Sequence, residues 1–317
     1  MPRLIPASSL SLPATTRSPI APLSLGLVLG CLACACRPAP APGPAPAAGT
    51  NGEADELLCG LPVPPRQGLL VAGSGSNLAL IREVARLYEQ ADPARRVEVP
   101  ASIGTAGAVA AVLDGAISLG LSSRPLSAAE IAAGAVETPY VETAVVWAAA
   151  VTAPPAEVPL PGLLALLDGP GGAWPDGTPV VPLLRERGDS SNVVFRARLP
   201  GFGEALERAL GEGRWRLCVT DQELEAALID TPGALGLTDL GTLRLGRAHG
   251  QAAPLRLQGF PPPTDLSGTG YPFRKRLGFL TRGLPQGEAA AFIQFARSPA
   301  TAALLAAGGY RLLPPEG

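Results

Sequence analysis

From residue 68 onward, short apolar runs alternate with amphipathic stretches. Residues 68–72 read as a buried strand that delivers the chain into a small-residue loop, GSGSN at 73–77. Leu78, Ile81, Ala85 and Tyr88 then recur at helical spacing, with Leu80, Val84 and Leu87 widening the stripe. A second strand is predicted at 97–99, a second small-residue loop at 102–107 and a helix at 108–113. A third strand at 117–121 ends in Ser122, Ser123, Arg124 and Pro125. The order β-α-β-α-β predicts a parallel sheet with right-handed crossovers.

A second α/β segment follows. Residues 143–151 predict a long apolar strand, 160–167 a helix, and 180–184 a strand, with helices after Asp189 and Gly203. Residues 215–219, 221–229 and 234–238 continue this segment, and the proline-rich 260–265 reads as an irregular connection. The chain closes with a strand at 276–281 and helices at 287–297 and 299–307, the last introduced by a Ser298-Pro299 cap and first position. No internal repeat is evident.

The first residues follow another logic. Arg3 and Arg17 precede an apolar run at 20–30 that meets Cys31, Cys34 and Cys36. The run falls short of the roughly 20 apolar residues that a membrane span needs, so it reads as a secretory leader over 1–36. The ending VLGC at 28–31 resembles a bacterial lipoprotein signal, which would make Cys31 the lipidated residue, with Cys34 and Cys36 as other candidates. RPAPAPGPAPAAGT at 37–50 cannot pack a core and opens an extended tether over 37–66. Cys59 and Cys218 remain; an oxidising compartment permits a bridge between them, and two buried small residues is the other reading.

Charge narrows the class. Lys plus Arg number 25 and Asp plus Glu 27, a net charge of −2 that lacks the basic excess of a nucleic-acid binder. Lys275 is the only lysine, so positive charge resides in arginine, whose planar fork grips oxyanions in fixed geometry. His249 is the only histidine and lies in a GRAHG loop, which argues against hydrolytic triads and zinc sites. Gly73 and Gly75 with Glu98 downstream suggest a dinucleotide fold, but Leu78 occupies the third glycine position, where close helix approach is required. No nucleophile-base pair or cofactor motif is found, and the chain is read as a non-enzyme without a cofactor.

The candidate chemistry lies in a recurrence. At 73–77, 102–107 and 188–192 a strand delivers Gly, Ser, Thr or Asn directly into a helix. Helix N-termini present unpaired N–H groups and partial positive charge, and Gly or Ser lets an anion approach. Ser76, Thr105, Ser123, Ser190 and Ser191 can add hydroxyl donors. One such loop is ordinary helix capping. Three at the carboxyl ends of strands suit the ligand crevice of an open α/β sheet. Arg185 ends the strand before the third loop; it either reaches into that crevice as a bidentate donor or stays at the surface near Glu186.

Taken in order, GSGSN at 73–77, IGTAG at 103–107, LDGAISLGLSSRPL at 113–126, RERGDSS at 185–191 and PGALG at 232–236 resemble the signatures of the phosphate-binding proteins of ABC transporters, within the periplasmic binding protein superfamily. The ending FARSP at 295–299 through Gly309 and Tyr310 fits as well, so the resemblance covers about 68–314. It implies a two-lobed α/β periplasmic-binding-protein fold, each lobe a mixed, mainly parallel sheet flanked by helices, with the chain crossing between lobes twice. Lobe one is expected over 67–142 plus 266–317 and lobe two over 143–265, with a hinge near Thr143 and the return crossing.

The same resemblance implies that the lobes close on a dehydrated inorganic oxyanion for delivery to ABC permease subunits, by a monomer held to the periplasmic face of a membrane through its lipid anchor. Carried over by position, Asn77 and the Leu78 amide are first-lobe donors with Ser76 nearby. Thr105 replaces a family Ser, Arg185 stands for the arginine, and Asp189, Ser190 and Ser191 occupy the Ser-Gly-Thr positions of the anion loop. Ser123 stands where several members have an Asp that accepts the proton of hydrogen phosphate, which weakens the case for phosphate; Asp189 either restores that acceptor or caps its helix. Phosphate stays first, with tungstate, molybdate or sulfate as alternatives, and an anion sensor or scaffold without transport as a further reading.

Overall fold

The computed structural model describes residues 68–315 apart from 151–153, 156, 170 and 269. The leader, the tether, the Cys31 lipidation site and Cys59 lie outside the described residues. β1 (Leu69–Gly73), α1 (Gly75–Ala91), β2 (Val97–Glu98), α2 (Gly104–Leu113), β3 (Leu119–Ser122) and the short α3 (Ala128–Ala132) open the fold. β1 pairs in parallel with both β2 and β3, as the β-α-β-α-β pattern predicts. α1 buries Leu78, Leu80, Ile81, Val84, Ala85 and Tyr88, the stripe given by the spacing. Gly73, at φ 153°, ends β1 where a Cβ would strike the backbone of Leu121 on β3; only glycine lets the strands converge there.

β4 (Ala135–Ala149) is followed by α4 (Leu160–Asp168), β5 (Val181–Arg185), α5 (Ser190–Arg198), α6 (Phe202–Glu212), β6 (Arg216–Cys218), α7 (Asp221–Asp230), β7 (Ala234–Asp239), α8 (Leu240–Leu245) and β8 (Ala253–Pro254). β5 pairs in parallel with β6 and β7, a second parallel layer. β9 (Arg274–Arg282), α9 (Gly287–Ala296), a 3₁₀ turn, α10 (Ala302–Gly308) and β10 (Arg311–Leu312) return the chain to its start. The strand order is β2-β1-β3-β9-β4-β7-β5-β6, with β8 and β10 each adding to β4. The fold is thus the mixed α/β, two-lobed arrangement expected, parallel at both ends and joined through antiparallel ladders of β4 and β9.

The apolar interior is divided. One buried cluster gathers Trp147, Phe195, Phe202 and Phe273, with Phe195 stacked on Phe273 at 4.1 Å between ring centroids. Another gathers Tyr88, Tyr140, Phe279 and Phe292, and a smaller one lies under α2 around Val109, Val112 and Leu280. Each fully buried Phe or Leu contributes about 1.5–3 kcal/mol, so either large cluster is core enough for its own layer.

β4 corrects the sequence reading. It starts at Ala135 rather than residue 143. Glu137, Thr138 and Glu142 hide the apolar pattern, and Pro139 sits at a register shift where its missing N–H does no harm. Ladder bonds to β9 run along this half, and Ala135, Tyr140 and Val141 bury its apolar side chains. The Ser298 cap also differs: its hydroxyl donates back to the Phe295 carbonyl, and 299–301 form the 3₁₀ turn before α10.

Candidate functional site

A cavity of about 440 Å³ lies between residues 74–76, 102–106 and 123–124 on one wall and 185–190 and 219–221 on the other. The first residues of four helices, α1, α2, α5 and α7, line it. The three loops singled out in the sequence therefore converge on one cavity, joined by a fourth at 219–221 that the sequence reading passed over.

The 74–124 wall is a set of amides and hydroxyls. Neither α1 nor α2 has its N-terminus closed by the side chain of its N-cap residue. Ser74 Oγ donates to Ser123 Oγ at 2.8 Å, and the Ser123 amide donates to Thr105 Oγ1 at 3.2 Å. Ser102 Oγ bridges the Gly73 carbonyl and the Gly104 amide. Arg124, the charged residue of this wall, is tied bidentately to Glu130 at 2.7 and 2.9 Å. Its guanidinium and the Ser127 amide hold the Glu130 carboxyl down at about 2.

The 185–221 wall carries the ionic groups. β5 ends with Arg185, whose residue is 5% exposed. Its Nη2 lies 2.8 Å from Asp189 Oδ2 and 3.5 Å from Asp221 Oδ2, and its Nη1 donates to the Cys218 carbonyl at 3.2 Å. Burial opposes the guanidinium's charge, but Asp221 and Asp189 outweigh it and raise its affinity for the proton. Asp189 also accepts from the Ser191 amide as the N-cap of α5. Burial would push its carboxyl up, yet Arg185 and Lys275 prevail and hold it below the usual range. Asp221 goes the other way: burial, with Asp189's charge added, lifts it above the usual range. At α7 a capping box joins Thr220 and Glu223.

Behind the walls stands Lys275. Its side chain is 3% exposed and pairs with Asp239 Oδ1 at 2.9 Å. Nζ donates to Ser76 Oγ at 2.9 Å, Ser190 Oγ at 2.7 Å and Ser191 Oγ at 3.1 Å. Ser190 Oγ also accepts from Ser123 Oγ at 3.1 Å, so hydroxyls link the walls. Asp239 is fully buried, and burial raises its carboxyl to about 6 against the pull of Lys275 and a hydrogen bond from Ser76.

Of the residues read from sequence, Ser76, Thr105, Ser123, Arg185, Asp189 and Ser190 line the cavity. Arg185 is a buried group of the site rather than a surface arginine. Ser191 lies just behind, bonded to Lys275. Asn77 is corrected: its Nδ2 donates to the Ser122 carbonyl, its Oδ1 accepts from Tyr140 and its amide donates to Ser74, so it braces β3 and β4 instead of facing the cavity. Leu78 belongs to the core, and at this helix start it is Ser74 and Gly75, with Ser76, that line the cavity. Asp189 caps α5 and also lines the cavity.

The sequence reading missed Lys275, Asp239 and Asp221. Two signals marked Lys275. A lone lysine in a chain whose other cations are arginine invites a special role, and alternation along RKRLGF turns Lys275 inward with Leu277 and Phe279 while Arg276 faces out. Asp221 follows Thr220 in a capping pattern, which disguised it as an ordinary first-turn acid. His249 is exposed, Cys218 is buried, and among the described residues no cluster of metal-ligating side chains and no helix long and apolar enough to cross a membrane occurs.

Comparison with known proteins places this architecture. A family model described as a PBP superfamily domain matches residues 40–300. A Clostridium perfringens protein described as a phosphate ABC transporter substrate-binding protein, solved with bound phosphate, is similar at 16% identity and a TM-score of 0.63, over 78% of this chain and 100% of that one. An ABC-type phosphate transport receptor from Vibrio cholerae matches at 15% identity and a TM-score of 0.52, over 78% and 100% of the two chains. The reduced form of OxyR from N. meningitidis matches at 11% identity and a TM-score of 0.52, over 78% and 99%. No curated protein matches the chain.

Proposed function

Because the chain belongs to the PBP superfamily, we propose that it is a solute-binding protein, not an enzyme, that closes two lobes on a tetrahedral oxyanion, phosphate first, for an ABC importer. The observation that carries this reading is the convergence of four helix N-termini, a buried arginine and a ring of hydroxyls on one small cavity. Amide dipoles, hydroxyl donors and a guanidinium are together the complement of an anion that has shed its water. Leader, Cys31 anchor and tether would hold the protein at the periplasmic face beside its permease.

Charge balance favours a protonated ligand. The buried set contains the cations Arg185 and Lys275 and the carboxylates Asp189, Asp221 and Asp239. Fully ionised, it carries one excess negative charge, which opposes a bare dianion. Hydrogen phosphate can donate its proton to a carboxylate and turn that repulsion into a hydrogen bond, whereas sulfate has no proton to give. Asp221, whose carboxyl burial already lifts, supplies the acceptor that Ser123 lacks.

Closure follows the usual linkage: ligand binds the closed form better and shifts the open-closed equilibrium by that difference. Gly75 lets the lobes meet, since a Cβ there would strike the Asp221 carboxylate. The test is thermal unfolding with phosphate, arsenate, sulfate, molybdate and tungstate. A ligand at a hundredfold excess over its Kd stabilises by about 2.7 kcal/mol. Phosphate and arsenate should raise the melting temperature most; no shift with any of the five would refute the reading. Anion sensing without transport is the second reading of the same site, which reconstitution of phosphate uptake with a permease would decide against.

A further inference from the structure

Lys275 does not line the cavity, yet its ammonium touches the hydroxyls that do. An ammonium has three hydrogens to donate and no lone pair to offer. Ser76, Ser190 and Ser191 must therefore all act as acceptors toward Nζ, and each turns its own hydrogen away from it. Ser190 is the most constrained, because its oxygen receives both Lys275 and Ser123 and has only its hydrogen left to offer.

We propose that Lys275 is a positioning residue that sets ligand specificity, fixing the Ser190 hydroxyl as a donor into the cavity so that the site prefers the less protonated form of its oxyanion. The inference rests on the oxyanion reading above and names what that reading leaves open, the group that orients the donors. Without the ammonium a lone pair of Ser190 is released and its oxygen can accept as well as donate, so a doubly protonated anion fits as well as a singly protonated one. Asp239, the partner of Lys275, balances its charge from the end of β7 and also accepts from Ser76, so Ser76 spends its hydrogen on that carboxylate and Ser190 is the cavity hydroxyl whose hydrogen stays free of it. The other ionisable groups facing Lys275 are Asp189 at the start of α5, Asp221 at the start of α7 and, through them, Arg185 at the end of β5.

The test is phosphate affinity by calorimetry above and below phosphate's second ionisation, in the wild type, Asp239→Asn, and Lys275→Met combined with Asp239→Asn. The double variant removes both charges of the pair, so a simple loss of positive charge cannot mimic the effect, and Asp189, Asp221 and Arg185 stay the same throughout. Expected is a roughly 10- to 100-fold loss of affinity for the dianion in the double variant, the weight of one or two charge-assisted hydrogen bonds, with a far smaller loss for the monoanion. Asp239→Asn alone keeps the preference. A loss of equal size on both sides of the ionisation, or none, overturns the proposal.

A second measurement needs no variant. With one lysine in the chain, ¹⁵N-lysine labelling gives a single ammonium signal. Phosphate should shift that signal and slow its hydrogen exchange. An unmoved signal at phosphate saturation overturns the specificity role while leaving oxyanion binding intact; absence of phosphate binding in the wild type is the separate failure of the underlying reading.

Discussion

The two walls of the cavity solve the same local problem in opposite ways. Four helices begin there, but on the 74–124 wall α1 and α2 lack a side-chain cap from their N-cap residue, whereas on the 185–221 wall α5 and α7 are closed by Asp189 and by the Thr220–Glu223 box. The first wall offers mainly neutral donors; the second holds Arg185 against two carboxylates. On the oxyanion reading proposed above, one wall would be left open for a ligand's oxygens, while the other would set the charge that a ligand must match. Capped helices could carry acids into such a site because the acids are already engaged.

The largest test of that division is Arg185→Ala. It leaves Asp189 and Asp221 buried without their cation, which should cost about 3–5 kcal/mol of stability and abolish oxyanion binding. Chemical denaturation and calorimetry measure the two effects; unchanged affinity would remove Arg185 from the site.

A pH series on Asp239 comes next. Its native value, about 6, lies above its unfolded value, so the folded chain holds this proton more tightly. The group's unfavourable contribution is absent below about pH 4 and complete above about pH 6, on the order of 3 kcal/mol. Asp189, held low, acts in reverse, contributing stability above its unfolded value and losing it as pH falls. Asp239→Asn should therefore remove the downward slope between those values whatever it does to absolute stability. A wild-type-like slope in the variant would show that Asp239 is not responsible.

Gly75→Ala probes the contact between the walls. The added methyl meets Asp221, so closure should weaken by about 1–3 kcal/mol, read as lower oxyanion affinity with the Tyr88 cluster still folded by circular dichroism. Smallest is Thr220→Ala, which opens one capped helix and should cost about 1 kcal/mol of stability. Ser74→Ala, at an uncapped helix, should instead act through the hydroxyl chain to Ser123 and lower affinity more than stability. Reversal of that pattern would break the contrast between the walls.

The same contrast explains what could be read in the sequence. The 74–124 wall was legible because its loops follow short strands with clean apolar runs, and Gly, Ser and Thr announce them locally. Arg185 and Asp189 were legible for the same reason at the end of β5. Lys275, Asp239 and Asp221 were not, since each acts through neighbours far away in sequence; Lys275 meets Ser76 across 199 positions. Asn77 misled because a polar residue in a polar loop gives no hint that Tyr140 and Ser122 will claim its amide. The first half of β4 was hidden by polar residues that a long ladder tolerates.

That strand has a mechanical meaning. β4 keeps β9 along one edge through Ala144 and takes β7 along the other from Val145, while β10 and β8 occupy the complementary stretches. Both edges exchange neighbours within a few residues of Thr143, and the Lys275–Asp239 pair joins the strands on either side of the exchange. A continuous backbone gripped at both ends cannot slide; it can only flex or twist where the grip changes hands. On the lobe-closing reading proposed above, that exchange is the pivot between two stiff plates, and the Lys275 ammonium is fastened there.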